Sequence, residues 1–129
     1  MYTIDAVEEL LSQIVDEIPP VFLEQLNGGI TLLEECKQHP ESQGNLYIMG
    51  EYCNGRGLGR LIRIYYGSFM RVYAYAPEGL LREKLRESLL HELTHHLESL
   101  AGERGLEVQD QIQLAEYRKL AENRKAHEN

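Results

Sequence analysis

The chain has 129 residues, a mass of 14.9 kDa and a formal net charge of −8 at pH 7. With 43% hydrophobic and 26% charged residues it has the composition of a globular protein, and its length predicts one domain over residues 1–129. The acidic excess disfavours nucleic acid and anionic membranes as partners, and the sequence has no apolar run of about 18 residues that would span a membrane.

The first residues and the cysteines favour an intracellular protein. Asp5, Glu8 and Glu9 lie where a secretory signal would have basic residues followed by an apolar run. Cys36 and Cys53 form no CxxC pair, which is typical of reduced thiols rather than a disulfide framework. We therefore expect a cytoplasmic protein.

The first part of the chain predicts two helices. Apolar residues recur at helical spacing over residues 3–17, and Pro19 and Pro20 stop that helix because proline cannot continue its hydrogen-bond ladder. A short helix over residues 21–27 follows, ended by glycines 28 and 29.

The middle of the chain predicts a small sheet. Residues 30–33, 45–52 and 59–66 are apolar, β-branched or aromatic runs of strand length. The glycine-rich segment 54–59 joins the last two strands as a hairpin, and its glycine spacing does not match a phosphate-binding GxGxxG loop.

The last part of the chain returns to helix. Residues 79–101 contain no helix breaker, and Gly102 is placed to end that helix as a left-handed cap. A final helix over residues 106–125 follows, and the polar tail within residues 116–129 is expected to fray. This order of elements predicts an α+β fold in which a sheet of about three strands packs on helices.

An HExxH motif, His91-Glu92-Leu93-Thr94-His95, lies inside the longest predicted helix. A helix turns about 100° per residue, so His91 and His95 lie one turn apart, away from the leucine stripe, and can bind one ion. Zinc suits two neutral imidazoles with a third protein ligand and a water molecule. Glu92 flanks the pair, where a carboxylate reaches that water as a general base. The alternative is a solvated helix face with ordinary side chains.

Other reactive side chains are interpreted as structural. His96 falls inside the stripe of leucines 85, 89, 93, 97 and 100, and is expected to pack in the core or to bond a ligand imidazole. His39 and His127 are expected to take no part, and Cys53 has no adjacent base. Six tyrosines cluster on and after the predicted sheet and are interpreted as core and rim residues. In a zinc site, one of them could stabilise a developing oxyanion. They are Tyr47, Tyr52, Tyr65, Tyr66, Tyr73 and Tyr75.

Taken together, these motifs resemble the small zincin-like metallopeptidase domains of bacteria. The resemblance runs from the first helix to about Leu114 and rests on the segments EIPPVF, MGEY and LIRIYYGSF and on the doubled histidine of HExxHH. It implies a minimal zincin fold, zinc bound by His91 and His95, and Glu92 as the catalytic acid and base. The zincin signature in such domains indicates proteolysis, and hence a peptide or protein substrate. The family pattern has a glycine and then an acid after the second histidine, where this chain has Glu98 and Ala101.

Three functions remain open from the sequence. The first is a zinc metallopeptidase with a shallow groove beside the third predicted strand, residues 59–66, that binds an extended peptide by strand addition. The second is a metal-binding or adaptor protein on the same scaffold without proteolysis. The third is an interaction module that uses its acidic helices and carries a fortuitous motif. The sequence does not fix the oligomeric state.

The third zinc ligand is predicted to be a carboxylate, for which Asp110, Glu98 and Glu107 compete. Asp110 is favoured because a ligand from the last predicted helix approaches the metal from a second direction. Glu98 lies on the same side of the helix as His91 and His95, and it is equally suited to bind the metal or to hydrogen-bond a ligand imidazole.

We expect Asp110→Asn to lower zinc affinity strongly and Glu98→Gln to lower it mildly, as measured by zinc titration of the amide variants. The opposite order would assign the ligand to Glu98.

Overall fold

A computed structural model describes residues 1–41, 43–44, 46–55 and 59–104. The α-helices are α1 (Ile4–Asp16), α2 (Tyr66–Tyr73) and α3 (Glu78–Arg104), and a 3₁₀ helix covers Pro20–Leu23. The strands are β1 (Gly29–Leu33), β2 (Lys37–Gln38), β3 (Tyr47–Ile48), β4 (Gly50–Gly55) and β5 (Gly59–Tyr65). The predicted α+β class is confirmed, whereas the predicted final helix, with Glu107 and Asp110, lies outside the described residues.

Helix α1 lies where the sequence predicts it. The Thr3 hydroxyl accepts a hydrogen bond from the Ala6 N–H at 3.1 Å and caps the first turn. The next helix is shorter than the predicted residues 21–27, because Gln25 has a φ of 68° and this left-handed conformation cannot continue a helix.

The main sheet has three strands in the order β1-β5-β4. The central strand β5 is parallel to β1 and antiparallel to β4, with Gly55 opposite Gly59, as the predicted hairpin requires. The predicted strand 45–52 is divided, because β3 pairs with β2 in a separate antiparallel pair while β4 joins the main sheet. The sequence pattern predicts that these residues are extended, but it does not show which strands they pair with.

Helices α1 and α3 pack together with the sheet to form the core. Ile62 and Ile64 of β5 are fully buried against them. The buried helical residues are Val7, Leu10, Leu11 and Ile14 in α1 and Leu81, Leu85, Leu89 and Leu93 in α3. Each such side chain contributes about 1.5–3 kcal/mol by leaving water. The buried leucines of α3 confirm the predicted stripe and fix which side of α3 faces outward.

Two helical features differ from the sequence-based expectation. Helix α2 begins at Tyr66, directly after β5, where the sequence predicts the end of a strand. Helix α3 runs from Glu78 to Arg104 instead of 79–101, so the prediction that Gly102 caps it is wrong. A glycine inside a helix costs only about 1 kcal/mol relative to alanine, which is too little to end a helix with this much buried surface. No helix in the described ranges combines the length and the apolar character needed to cross a bilayer.

Strand β4 is held on its outer face by a cluster around Glu51. The carboxylate accepts hydrogen bonds from the Lys37 ammonium group at 2.6 Å and from the Tyr65 hydroxyl. Burial acts to raise the pKa of Glu51, but these two donors and the nearby positive charges of Lys37 and Arg63 outweigh it and hold the pKa below its ordinary value. The ionised carboxylate therefore ties β4 to β2 and β5.

Gly67→Ala is expected to lower the free energy of unfolding by about 1–3 kcal/mol. A Cβ at residue 67 would lie 2.6 Å from the Cys36 nitrogen and 2.7 Å from the Glu35 carbonyl oxygen, and both are backbone atoms. Gly102→Ala is the control, because a Cβ there meets nothing within 4 Å. It should raise stability by up to about 1 kcal/mol, since alanine favours helix. Urea denaturation measures both; a loss of stability in Gly102→Ala would restore the cap interpretation.

Glu51→Gln is expected to destabilise the protein at pH 7 and to have little effect at low pH. The folded-state pKa of Glu51 is lowered, so its ionised form stabilises the fold above the unfolded-state pKa, and that contribution disappears as the pH falls through the folded-state pKa. The charged and titratable groups around it are Lys37, Arg63, Tyr65 and Glu92. Urea denaturation of both proteins from pH 7 to pH 3 measures the difference; a difference that grows on acidification would contradict this assignment.

Candidate metal centre and its cleft

The histidine pair, His91 and His95, lies on the exposed side of α3. This orientation follows from the helical period, because the leucines that share the helix face the core. The two Nε2 atoms are 3.2 Å apart, and the ring planes are nearly perpendicular, at 87°. Two nitrogen ligands at about 2.0–2.1 Å from one tetrahedral zinc ion lie about 3.3–3.4 Å apart. The pair thus has the separation that a shared metal ion requires.

Glu92 faces β4 and is buried, with only 9% of its surface exposed. Its Oε1 accepts a hydrogen bond from the Tyr52 backbone N–H at 3.1 Å. Burial raises the pKa of the Glu92 carboxyl above its ordinary value, although the adjacent histidines and the Tyr52 N–H act to lower it. A carboxylate with a raised pKa accepts a proton more readily than an exposed one, as a general base should.

A glycine allows β4 to come this close to α3. A Cβ at Gly50 would lie 3.1 Å from the Ile64 side chain, 3.2 Å from the Arg63 carbonyl oxygen and 3.4 Å from Glu92 Cγ. A larger residue would displace the strand, the core side chain or the Glu92 carboxylate. Gly50 belongs to the MGEY segment, and neither its role nor that of Tyr52 follows from hydrophobic spacing.

An open cleft runs along β4 on both sides of Glu92. One part has a volume of about 660 Å³ and is lined by Gly50, Glu51, Tyr52, Glu92, His95, Glu98 and Ser99. The other has a volume of about 390 Å³ and is lined by Ile48, Met49, Gly50, Glu87, Ser88, His91 and Glu92. Gly50 and Glu92 line both cavities, which therefore adjoin at the motif.

The groove follows the outer edge of β4. The Tyr65 N–H donates to the Met49 carbonyl at 2.9 Å, so alternate residues from Met49 onward bond to β5. Gly50, Tyr52 and Asn54 consequently direct their N–H and C=O groups away from β5. The expectation of a groove beside residues 59–66 is wrong, because β5 is paired with β1 on one edge and with β4 on the other.

His91 and His95 are two nitrogen donors that a metal could share. In residues 1–41, 43–44, 46–55 and 59–104, no group of three His, Cys, Asp or Glu side chains is placed to hold an ion. Glu98 is exposed and lines the cleft beside His95. The favoured third ligand, Asp110, and its competitor Glu107 lie outside the described residues, so the third ligand remains a prediction.

His96 is fully buried, in agreement with its predicted packing in the leucine stripe. Its Nε2 lies 2.8 Å from the Glu24 carbonyl oxygen and its Nδ1 lies 3.0 Å from the Tyr52 hydroxyl. A carbonyl only accepts, so Nε2 carries the proton and Nδ1 accepts from Tyr52. Burial lowers the pKa of His96, and the Arg60 charge acts in the same direction while the Glu24 carbonyl opposes it. Both ring nitrogens are engaged, so His96 is not a metal ligand.

The remaining side chains with predicted minor roles lie apart from this chemistry. His39 accepts a hydrogen bond from the Glu41 N–H at 3.1 Å within a turn, and His127 lies outside the described residues. Cys36 and Cys53 are both free thiols. The Tyr52 hydroxyl is bonded to the buried His96 ring, so Tyr52 is not the tyrosine that would steady an oxyanion.

Comparison with known proteins finds a likeness to a solved structure. No family model matches the chain, and no curated protein matches it. A solved structure of a conserved hypothetical protein from Thermo thermophilus superposes with a TM-score of 0.70. The sequences are 37% identical, and the match covers 78% of this chain and 98% of that one.

Proposed function

We propose that this chain, which belongs to the same family as the conserved hypothetical protein from Thermo thermophilus, is a zinc-dependent metallopeptidase on a zincin-like scaffold. One observation carries the proposal. The exposed histidine pair, with Nε2 atoms 3.2 Å apart, lies on the same turn of α3 as Glu92, which lines an open cleft at a sheet edge. The same part of α3 therefore offers donors for a metal, a buried carboxylate and space for a substrate.

The histidine pair fits zinc by its chemistry as well as by its separation. Neutral imidazoles are common zinc ligands, and a catalytic site adds a third protein ligand and keeps one position open. We propose Asp110 as that third ligand, with Glu98 and Glu107 as alternatives. Zinc bound there would lower the pKa of a water molecule to about 7 and polarise a substrate carbonyl.

Glu92 is proposed to move the proton. Its buried carboxylate accepts a proton from the attacking water and delivers it to the amine that leaves when the peptide bond breaks. Transfer by a positioned side chain of this kind contributes typically about 10²–10⁴-fold to a rate. The Tyr52 N–H holds one oxygen of the carboxylate and so restricts its rotation.

An extended peptide is the substrate that this cleft suits. Gly50 and Tyr52 of β4 line the groove, and an extended peptide would form main-chain hydrogen bonds beside this edge, at groups other than the Tyr52 N–H that donates to Glu92. Such binding would recognise the peptide backbone rather than a particular side chain. The scissile bond would then lie across Glu92, between the two parts of the cleft.

A second function, metal binding without hydrolysis, is favoured by the exposure of His91 and His95. An ion shared by two exposed imidazoles in an open cleft could also be reached by a partner protein or a bound ligand, as an adaptor requires. Zinc content does not separate the two functions, because both retain the histidine pair. Hydrolysis separates them.

Glu92→Gln is expected to retain zinc and lower peptide hydrolysis by at least about 10²-fold, because an amide does not accept the proton from water. His91→Ala and His95→Ala should each lose tight zinc binding, which wild-type protein shows at about one ion per chain. The measurements are elemental analysis after zinc loading and cleavage of a peptide library.

Glu83→Gln is the matched control, since it makes the same change on α3 away from the cleft. Hydrolysis by Glu92→Gln at the wild-type rate would reject the general-base role. Zinc binding by the wild type together with no cleavage of any library peptide would favour the adaptor function. Equal zinc retention in a His91→Ala/His95→Ala double variant would reject the metal centre.

A further inference from the structure

Tyr52 contacts α3 through two different groups. Its backbone N–H donates to Glu92 Oε1 at 3.1 Å, and its hydroxyl lies 3.0 Å from Nδ1 of His96, one helical turn further along α3. The backbone contact reaches the proposed proton acceptor, while the side-chain contact reaches a fully buried ring. One residue therefore joins the cleft to the core.

The direction of each hydrogen bond around the phenol is determined. Nε2 of His96 donates to the Glu24 carbonyl, so Nδ1 accepts and the Tyr52 hydroxyl must donate to it. The hydroxyl oxygen accepts from Arg60 at 3.3 Å, and the same guanidinium nitrogen donates to Ser99 at 3.1 Å. The phenol is thus fixed at both its proton and its oxygen, between α3 and β5.

The hydrogen bond between the Tyr52 N–H and Glu92 Oε1 depends on the position of β4, which the Tyr52 phenol helps to fix. The Tyr52 N–H is directed away from β5 and toward Glu92, so its distance from Oε1 depends on how close β4 lies to α3. A Cβ at Gly50 would lie only 3.4 Å from Glu92 Cγ, so there is little free space between strand and helix. A displacement of β4 by a fraction of an ångström would lengthen the bond to Oε1 and free the carboxylate to rotate.

We propose that Tyr52 is a positioning residue for Glu92, and that His96 serves this role by anchoring the Tyr52 hydroxyl. His96, the last histidine of HExxHH, would thus affect hydrolysis by holding β4 in place and not by binding the metal. The role in hydrolysis rests on the proposed function, whereas the control of the Glu92 contact does not.

The test is Tyr52→Phe in the zinc-loaded protein, with Tyr66→Phe as the control. Both changes remove one hydroxyl from a partly buried tyrosine, and Tyr66 bonds instead to the Tyr2 carbonyl at the start of α1. For Tyr52→Phe we expect kcat to fall about tenfold with KM within about twofold and zinc content unchanged. Tyr66→Phe should leave kcat unchanged.

Amide hydrogen exchange gives a readout that does not need activity. In Tyr52→Phe the amide of residue 52 should exchange about tenfold faster, with the amides of Ile62 and Ile64 unchanged. Glu92→Ala should produce the same acceleration at residue 52, and the double variant should add nothing further, because both changes break one contact.

Each result decides a separate point. Unchanged exchange at residue 52 in Tyr52→Phe overturns the positioning role, as does acceleration that extends to Ile62 and Ile64, which would indicate a loosened sheet. If exchange responds as expected but the wild type cleaves no peptide, Tyr52 does position Glu92 and the peptidase function is rejected. If kcat falls while KM rises in proportion, Tyr52 binds substrate instead and the proposal is wrong.

Discussion

The close approach of β4 to α3 is the constraint on which the site depends. Helix α3 by itself brings His91 and His95 to the same side, but it gives Glu92 no defined partner. That partner is a backbone N–H from a strand 40 residues earlier in the sequence. Gly50 makes the approach possible, because any side chain there would meet Ile64 and Glu92. The burial of Glu92, its raised pKa and the shape of the cleft all follow from this single distance.

Strand β4 is held from both faces by consecutive residues. The side chains of a strand alternate, so Glu51 points to the outer face and bonds to Lys37 and Tyr65, while Tyr52 points toward α3 and bonds to His96. The outer anchor is ionic and lies near solvent; the inner anchor is neutral and buried. The outer anchor is lost as the pH falls through the lowered pKa of Glu51, whereas burial lowers the pKa of His96 and so favours the neutral ring that the inner anchor requires.

The sequence predicts the parts of the site that belong to one helix and misses those that depend on strand pairing. The leucine stripe places the histidine pair outside and His96 inside, since a periodic pattern defines a helix face. Hydrophobic spacing could not show that the extended run 45–52 divides between two sheets, or that Tyr52 meets Glu92, because pairing partners are set by tertiary packing. Gly102 misleads for a related reason: a glycine ends a helix only where packing does not sustain it.

The proposed metal donors and the proposed base depend on different levels of structure. His91 and His95 are four residues apart on one helix, so their proximity needs a single turn of α3 and no distant contact. The Glu92 contact closes a loop of 40 residues and exists only when the sheet is assembled. During folding, a chain with α3 formed and β4 still detached would already present two metal donors while its carboxylate remained in water. The histidine pair proposed to bind the metal is thus encoded by local sequence, whereas the environment of the proposed proton acceptor is a product of the completed tertiary fold.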